Sequence, residues 1–121
     1  MDNKAVAKQF LDNLFVNNDL AYEVVADDVC VNWPGFGMQD IVGKQTLRNF
    51  LDNDGPDKII SQRVNNLICE GNIVIGDGTI TTERNGKVET SHFADVYTVT
   101  NGKITNLNSY MVMDQSNKAS E

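Results

Sequence analysis

The chain has 121 residues, 40% of them hydrophobic and 22% charged, which suits one globular domain with a real core and is too short for two. Ten basic residues against 17 acidic give a net charge of −7. That balance argues against nucleic acid, whose phosphates need clustered Lys and Arg, and against an anionic membrane surface.

No apolar run reaches membrane-spanning length, and the opening MDNKAVAKQF enters an amphipathic helix without a signal-peptide core. Cys30 and Cys69 are isolated and read as two reduced thiols. A cytoplasmic location is therefore expected.

Asp2 is placed to cap a first helix, with Val6, Phe10 and Leu14 on one stripe and Ala7, Leu11 and Phe15 beside it. Asn17-Asn18-Asp19 breaks that helix, and Asp19 is expected to cap a short second one over Leu20 to Ala26. Val29, Val31 and Trp33 alternate with Cys30 and Asn32, the pattern of a short strand that Pro34 ends. A third helix is expected from Lys44 to Leu51.

From Asp57 the pattern becomes a β-meander. Glu70-Gly71-Asn72, Asn85-Gly86 and Asn101-Gly102 separate four β-rich runs, and Asn-Gly between such runs is a strong hairpin signal. Each strand would hold roughly a dozen residues, about 40 Å, so the sheet must twist and bend, leaving a concave side for the helices. This predicts an α+β domain over residues 1–114, with a pocket between sheet and helices, and a flexible polar tail over 115–121.

Both faces of the meander carry apolar side chains, as at Tyr110 and Val112 against Met111 and Met113. One explanation is a second subunit on the convex face, giving a homodimer through the sheet. The other is a bulge that shifts the phase of the last strand, since Ile104 and Leu107 fall out of step.

Within SHFADVYTVT, Asp95 shares a strand face with Phe93, Tyr97 and Val99. A carboxylate on such a face must be partnered, neutralised, or exposed in a cavity, and Asp95 is the leading candidate for a functional residue. Arg63 and Asp77, also on meander strands, could converge with it around a water. Nothing in the spacing requires this, and Arg63 reads better as a surface residue on a strand of mixed polarity. His92, the only histidine, lies three residues away and so faces the other side. One histidine and two separated cysteines form no zinc site, the Asp-rich turns lack calcium-loop spacing, and Gly35-Phe36-Gly37 is no dinucleotide fingerprint. No metal and no cofactor are expected.

The order helix, short helix, Ala26-Asp27-Asp28-Val29 strand entry, Gly43-Lys44-x-x-Leu47-x-x-Phe50 helix and meander resembles the nuclear transport factor 2-like superfamily. Within it, Phe10-Leu11, His92-Phe93-x-Asp95-x-Tyr97, Asn101-Gly102-Lys103-Ile104 and Tyr110 look like the branch of SnoaL-like polyketide cyclases and ketosteroid isomerase. The resemblance implies a cone-shaped, commonly dimeric fold with a deep pocket. It implies no single function, because fold and activity are separable.

By the same resemblance, Asp95 matches the isomerase's pocket aspartate, which stays protonated in an apolar site and donates a hydrogen bond to a developing oxyanion. The isomerase's general base falls where this chain has Trp33, which has no basic nitrogen, and the tyrosine of its first helix corresponds to Phe10. Steroid isomerisation by that mechanism is therefore not expected. Trp33, Phe10, Leu14, Phe93, Tyr97 and Tyr110 are expected to wall a pocket for a small apolar molecule. Two functions follow: cofactor-free acid-base catalysis on a cyclic or carbonyl-bearing metabolite, with Asp95 as acid or polariser, or a non-catalytic binding or dimerisation module.

Overall fold

In a computed structural model describing residues 1–115, the chain forms three helices and six strands. Helices α1 (Asn3–Asn13) and α2 (Asn18–Glu23) precede strands β1 (Val25–Asn32) and β2 (Ile41–Val42). Helix α3 (Lys44–Asp54) leads into the meander β3 (Lys58–Glu70), β4 (Ile73–Arg84), β5 (Lys87–Thr100) and β6 (Lys103–Met113). The tail expected over 115–121 lies, beyond Gln115, outside the described residues. No helix among the described residues is long and apolar enough to cross a membrane.

All six strands belong to one curved, unclosed sheet of order β2-β1-β6-β5-β4-β3. Every ladder is antiparallel except β1 with β6. The core gathers where the helices meet the sheet's inner face, with Val6, Val25, Val31, Val74, Tyr97 and Ile104 all at 1% exposure or less.

Local chemistry accounts for most boundaries. The Asp2 carboxylate accepts from the Ala5 N–H at 2.8 Å, capping α1, whose buried stripe is Val6, Ala7, Phe10 and Leu11. The cap of α2 is Asn17, not Asp19: the Asn17 side chain accepts from Leu20 N–H. Asp19 sits in the first turn and pairs with Arg48 at 2.8 Å.

That helix stops at Glu23 rather than Ala26, and β1 opens earlier than expected, at Val25. The β-branched Val25 is 1% exposed and pairs with Ile104 of β6, a parallel contact across most of the chain that overrides local helix preference. Helix α3 runs past Leu51 to Asp54, where the Gly55 N–H closes it on the Leu51 carbonyl.

The meander turns fall where expected. Asn85-Gly86 and Asn101-Gly102 hold φ values of 53° and 78°, and 52° and 77°, the positive pair that a type I′ hairpin needs. In β6 one residue breaks the regularity: Thr98 pairs with Asn106 and Val99 with Ile104, so Thr105 is extra. That bulge brings Ile104 and Leu107, three apart, onto the same buried face. Two further register shifts bend β3, at Ile59/Ser61 and Val64/Asn66.

The sheet's outer face nevertheless keeps Ile68, Ile75, Tyr110 and Val112 between 43% and 67% exposed. Both cysteines are free thiols.

The second shift in β3 is packed against Gly78 of β4. A Cβ built there would stand 2.0 Å from the Arg63 carbonyl oxygen, a backbone atom that cannot yield cheaply. Gly78→Ala is expected to cost about 3 kcal/mol, the upper range for overpacking. Gly71→Ala, with φ +61° but nothing within 4 Å, is expected to cost about 1 kcal/mol. Urea unfolding of the two variants measures the difference.

Candidate functional site

Where the sheet bends away from α1 and α3, a cavity of about 160 Å³ remains. This is close to the size of a dry engineered cavity that admits benzene. Its walls are apolar side chains from every layer: Phe10 and Leu14 at the end of α1, Trp33 after β1, Leu47 and Leu51 of α3, and Phe93 of β5. Trp33 stacks at a tilt on Phe50, ring centroids 5.6 Å apart. Phe10 meets the Tyr97 ring edge-on at 6.3 Å.

One polar cluster interrupts this surface. Asp95 and Tyr97 enter from alternate positions of β5, and Ser109 enters from β6 directly opposite Asp95. Ser109 Oγ donates to Asp95 Oδ1 at 2.6 Å, and the Tyr97 hydroxyl donates to Oδ2 at 3.2 Å. Gln62 of β3 is the other polar side chain in the lining, its Nε2 donating to the Leu11 carbonyl at 3.2 Å.

Burial pushes the Asp95 carboxyl up to about 6, against the opposing pull of the Ser109 and Tyr97 hydroxyls. Burial, and then the neighbouring Asp95 charge, hold the Tyr97 phenol well above its ordinary range. Among the described residues, no basic side chain lines the cavity. A desolvated carboxyl with hydroxyl donors and no cation can hold or release a proton near neutrality.

Of the residues expected around the pocket, Asp95, Trp33, Phe10, Leu14, Phe93 and Tyr97 line this cavity. Tyr110 does not: it lies across from Ala94 on the outer face, 46% exposed. The Thr105 bulge is the cause. An unbroken register counted from the Asn101-Gly102 turn would set Tyr110 opposite Phe93, and the extra residue replaces it with Met111.

Arg63 and Asp77 do not converge on Asp95 either. Asp77 pairs with Ala94, one position off the cavity face, and accepts from Asn66 Nδ2 at 3.0 Å, while Arg63 is exposed opposite Thr79. His92 also faces outward, bonded through Nδ1 to Thr79 and through Nε2 to Asp114. Tyr22 is buried against Phe10 and the Arg48 guanidinium and does not line the cavity.

Sequence reasoning missed Ser109 and Gln62. The out-of-step spacing of Ile104 and Leu107 was a signal for Ser109, because a bulge there moves it opposite Asp95. Gln62 had no comparable signal, since β3 alternates poorly on both sides of its shifts.

The raised carboxyl has a thermodynamic sign. Unfolded, Asp95 returns toward its ordinary value of 3.8, so between about pH 4 and 6 the folded chain binds more protons than the unfolded one. Its stabilising contribution is complete below pH 4 and is lost as pH rises through about 6. Asp95→Asn removes this dependence. Between pH 4 and pH 8, the unfolding free energy of wild type is expected to fall by about 3 kcal/mol relative to Asp95→Asn, because each tenfold difference in proton affinity between the two states is worth about 1.4 kcal/mol. Urea titrations of both proteins at the two pH values measure it.

A family model described as SnoaL-like domain matches residues 7–107. None of the curated proteins matches the sequence. Among solved structures, a candidate SnoaL-like polyketide cyclase from Mesorhizobium loti is similar at 24% identity and TM-score 0.72, over 91% of this chain and 99% of that one. A protein of unknown function with a cystatin-like fold from Xanthomonas campestris gives 17% identity and TM-score 0.79, over 98% and 95%. An LEH-like epoxide hydrolase from M. tuberculosis gives 18% identity and TM-score 0.76, over 91% and 82%. At these identities the structures share the fold with this chain. The match across residues 7–107 goes further: the chain belongs to the family of SnoaL-like domains.

Proposed function

We propose that this protein takes a compact, largely apolar molecule into the cavity, with one polar group of that molecule against Asp95. In this reading it acts without a cofactor, as an isomerase-, cyclase- or hydrolase-like acid-base catalyst. The observation that carries the proposal is the polar cluster of Asp95 with Tyr97 and Ser109 in a cavity whose other described lining residues are apolar except Gln62.

In its protonated form Asp95 is the acid or polariser. Ser109 holds Oδ1 by the shorter bond, leaving Oδ2, with its longer contact to Tyr97, as the oxygen that donates to a carbonyl of the ligand. A low-dielectric surrounding strengthens that donation. Trp33 and Phe10 stand as walls, where neither can take a proton from the ligand. This sets the proposal apart from ketosteroid isomerisation and places proton transfer on Asp95. The site of action in this reading is the cytoplasm.

A second reading, a binding or dimerisation module of the same fold, is favoured by the outer face. Ile68, Ile75, Tyr110 and Val112 form an exposed apolar surface on the side of the sheet away from the cavity, the kind of surface that a second copy would cover. Sedimentation is expected to give a dimer, and Val112→Lys a monomer with the cavity intact. A wild-type monomer would remove this part.

For the cavity, a thermal-shift screen with cyclic ketones, lactones and epoxides is expected to raise the melting temperature of wild type more than that of Asp95→Asn or Asp95→Ala. Equal shifts in all three proteins would exclude Asp95 from recognition.

A further inference from the structure

The charge balance inside the cavity points to a ligand class beyond neutral carbonyl compounds. The Asp95 carboxyl receives two hydroxyl donors, yet among the described residues no cation lines the cavity beside it. The elements packed over the site present Phe10 and Leu11 from α1, Trp33 after β1, Leu51 from α3 and Gln62 from β3, none of which carries positive charge. Arg48, which lies over the buried Tyr22 ring at 5.0 Å, is engaged by Asp19 at 2.8 Å and does not line the cavity. Among the described lining residues Tyr97 is the one other titratable group, and it is held neutral well above the physiological range. Asp12 adds a further negative influence on Tyr97.

Among the described residues, an ionised Asp95 is thus an anion in an apolar pocket with no cation lining it, and a cationic ligand would supply the partner it lacks there. Around it stand the rings of Phe10, Phe15, Trp33, Phe93 and Tyr97, whose faces attract cations. The net charge of −7 draws the same class of molecule toward the surface.

We infer that the cavity binds organic ammonium ions built on a single small ring, the ammonium group donating to the Asp95 carboxylate and the ring lying against the aromatic wall. The inference rests on the reading of the cavity as the ligand site. It adds that the protonation state of Asp95 selects the ligand: the neutral acid donates to a carbonyl, whereas the carboxylate takes an ammonium ion. The two classes therefore respond to pH with opposite sign. Ammonium binding requires Asp95 ionised and must expel its proton in acid, while carbonyl binding gains as the acid form fills.

Cyclohexylamine, charged throughout this range, and cyclohexanone are suitable probes, titrated calorimetrically from pH 7.5 to pH 5. With Asp95 titrating at about 6, cyclohexylammonium affinity is expected to fall about tenfold over that interval, while cyclohexanone affinity holds or rises. Asp95→Asn is expected to weaken cyclohexylammonium at least tenfold at pH 7.5 and to abolish its pH dependence.

Ammonium affinity that is flat with pH, or equal in Asp95→Asn, overturns the inference. So does binding of the ketone alone, which leaves the cavity reading standing. Failure of both rings to bind overturns the inference together with the reading beneath it. The wild-type pH series decides the matter even if Asp95→Asn does not fold.

Discussion

Strands of 11 to 14 residues cannot bury one face along their whole length unless the sheet curves around something. Here it curves around α1, and Val74 of β4, Tyr97 of β5 and Ile104 of β6 close onto Val6, Ala7 and Phe10. Nearly everything else follows from that closure. The parallel contact of β1 with β6 extends the concave wall and draws Val25, Val29 and Val31 into the core. Beyond the end of α1 the helix no longer fills the concavity, and α3 with Trp33 covers what remains, leaving the cavity. Gly76, the cross-strand neighbour of Asp95, has no side chain where a Cβ would stand 3.2 Å from Leu67 and 3.5 Å from Leu11. The helix can therefore settle close to the sheet beside the polar cluster.

Two opposing effects meet at Asp95, and their magnitudes decide its character. Removal from water favours the neutral acid, while the Ser109 and Tyr97 hydroxyls favour the carboxylate. A net rise from 3.8 to about 6 corresponds to about 3 kcal/mol of preference for the neutral form, even though hydroxyl bonds to a charged group are worth about 1.5–3 kcal/mol each. Desolvation wins, but not outright. The group is left titrating at about 6, mostly ionised at physiological pH with a minor neutral fraction, instead of being held far below that range, as a neighbouring arginine would hold it.

Much of this was legible in the sequence because it depends on neighbours along the chain. The Asn-Gly turns, the Asp2 cap and the alternation that puts Phe93, Asp95 and Tyr97 on one face each need only a few consecutive residues. The errors share a different origin. Tyr110 was placed in the pocket, and Ser109 overlooked, because a single extra residue at Thr105 inverts the phase of β6. The end of α2 was misplaced because Val25 answers to Ile104, 79 positions away. Gln62 lies on the strand with two register shifts, where alternation stops indicating direction. Distant pairing and bulges are tertiary facts, and the site residues that depend on them cannot be read locally.

The wall opposite the carboxyl has a practical consequence. Trp33 is the only tryptophan in the chain, and it lines the cavity with its indole against Phe50. Its emission therefore comes from one known place. A molecule entering the cavity displaces water from that indole or stacks on it directly, and either event changes the light it emits. The protein thus carries an intrinsic optical sensor of cavity occupancy, with no second indole elsewhere to dilute the signal.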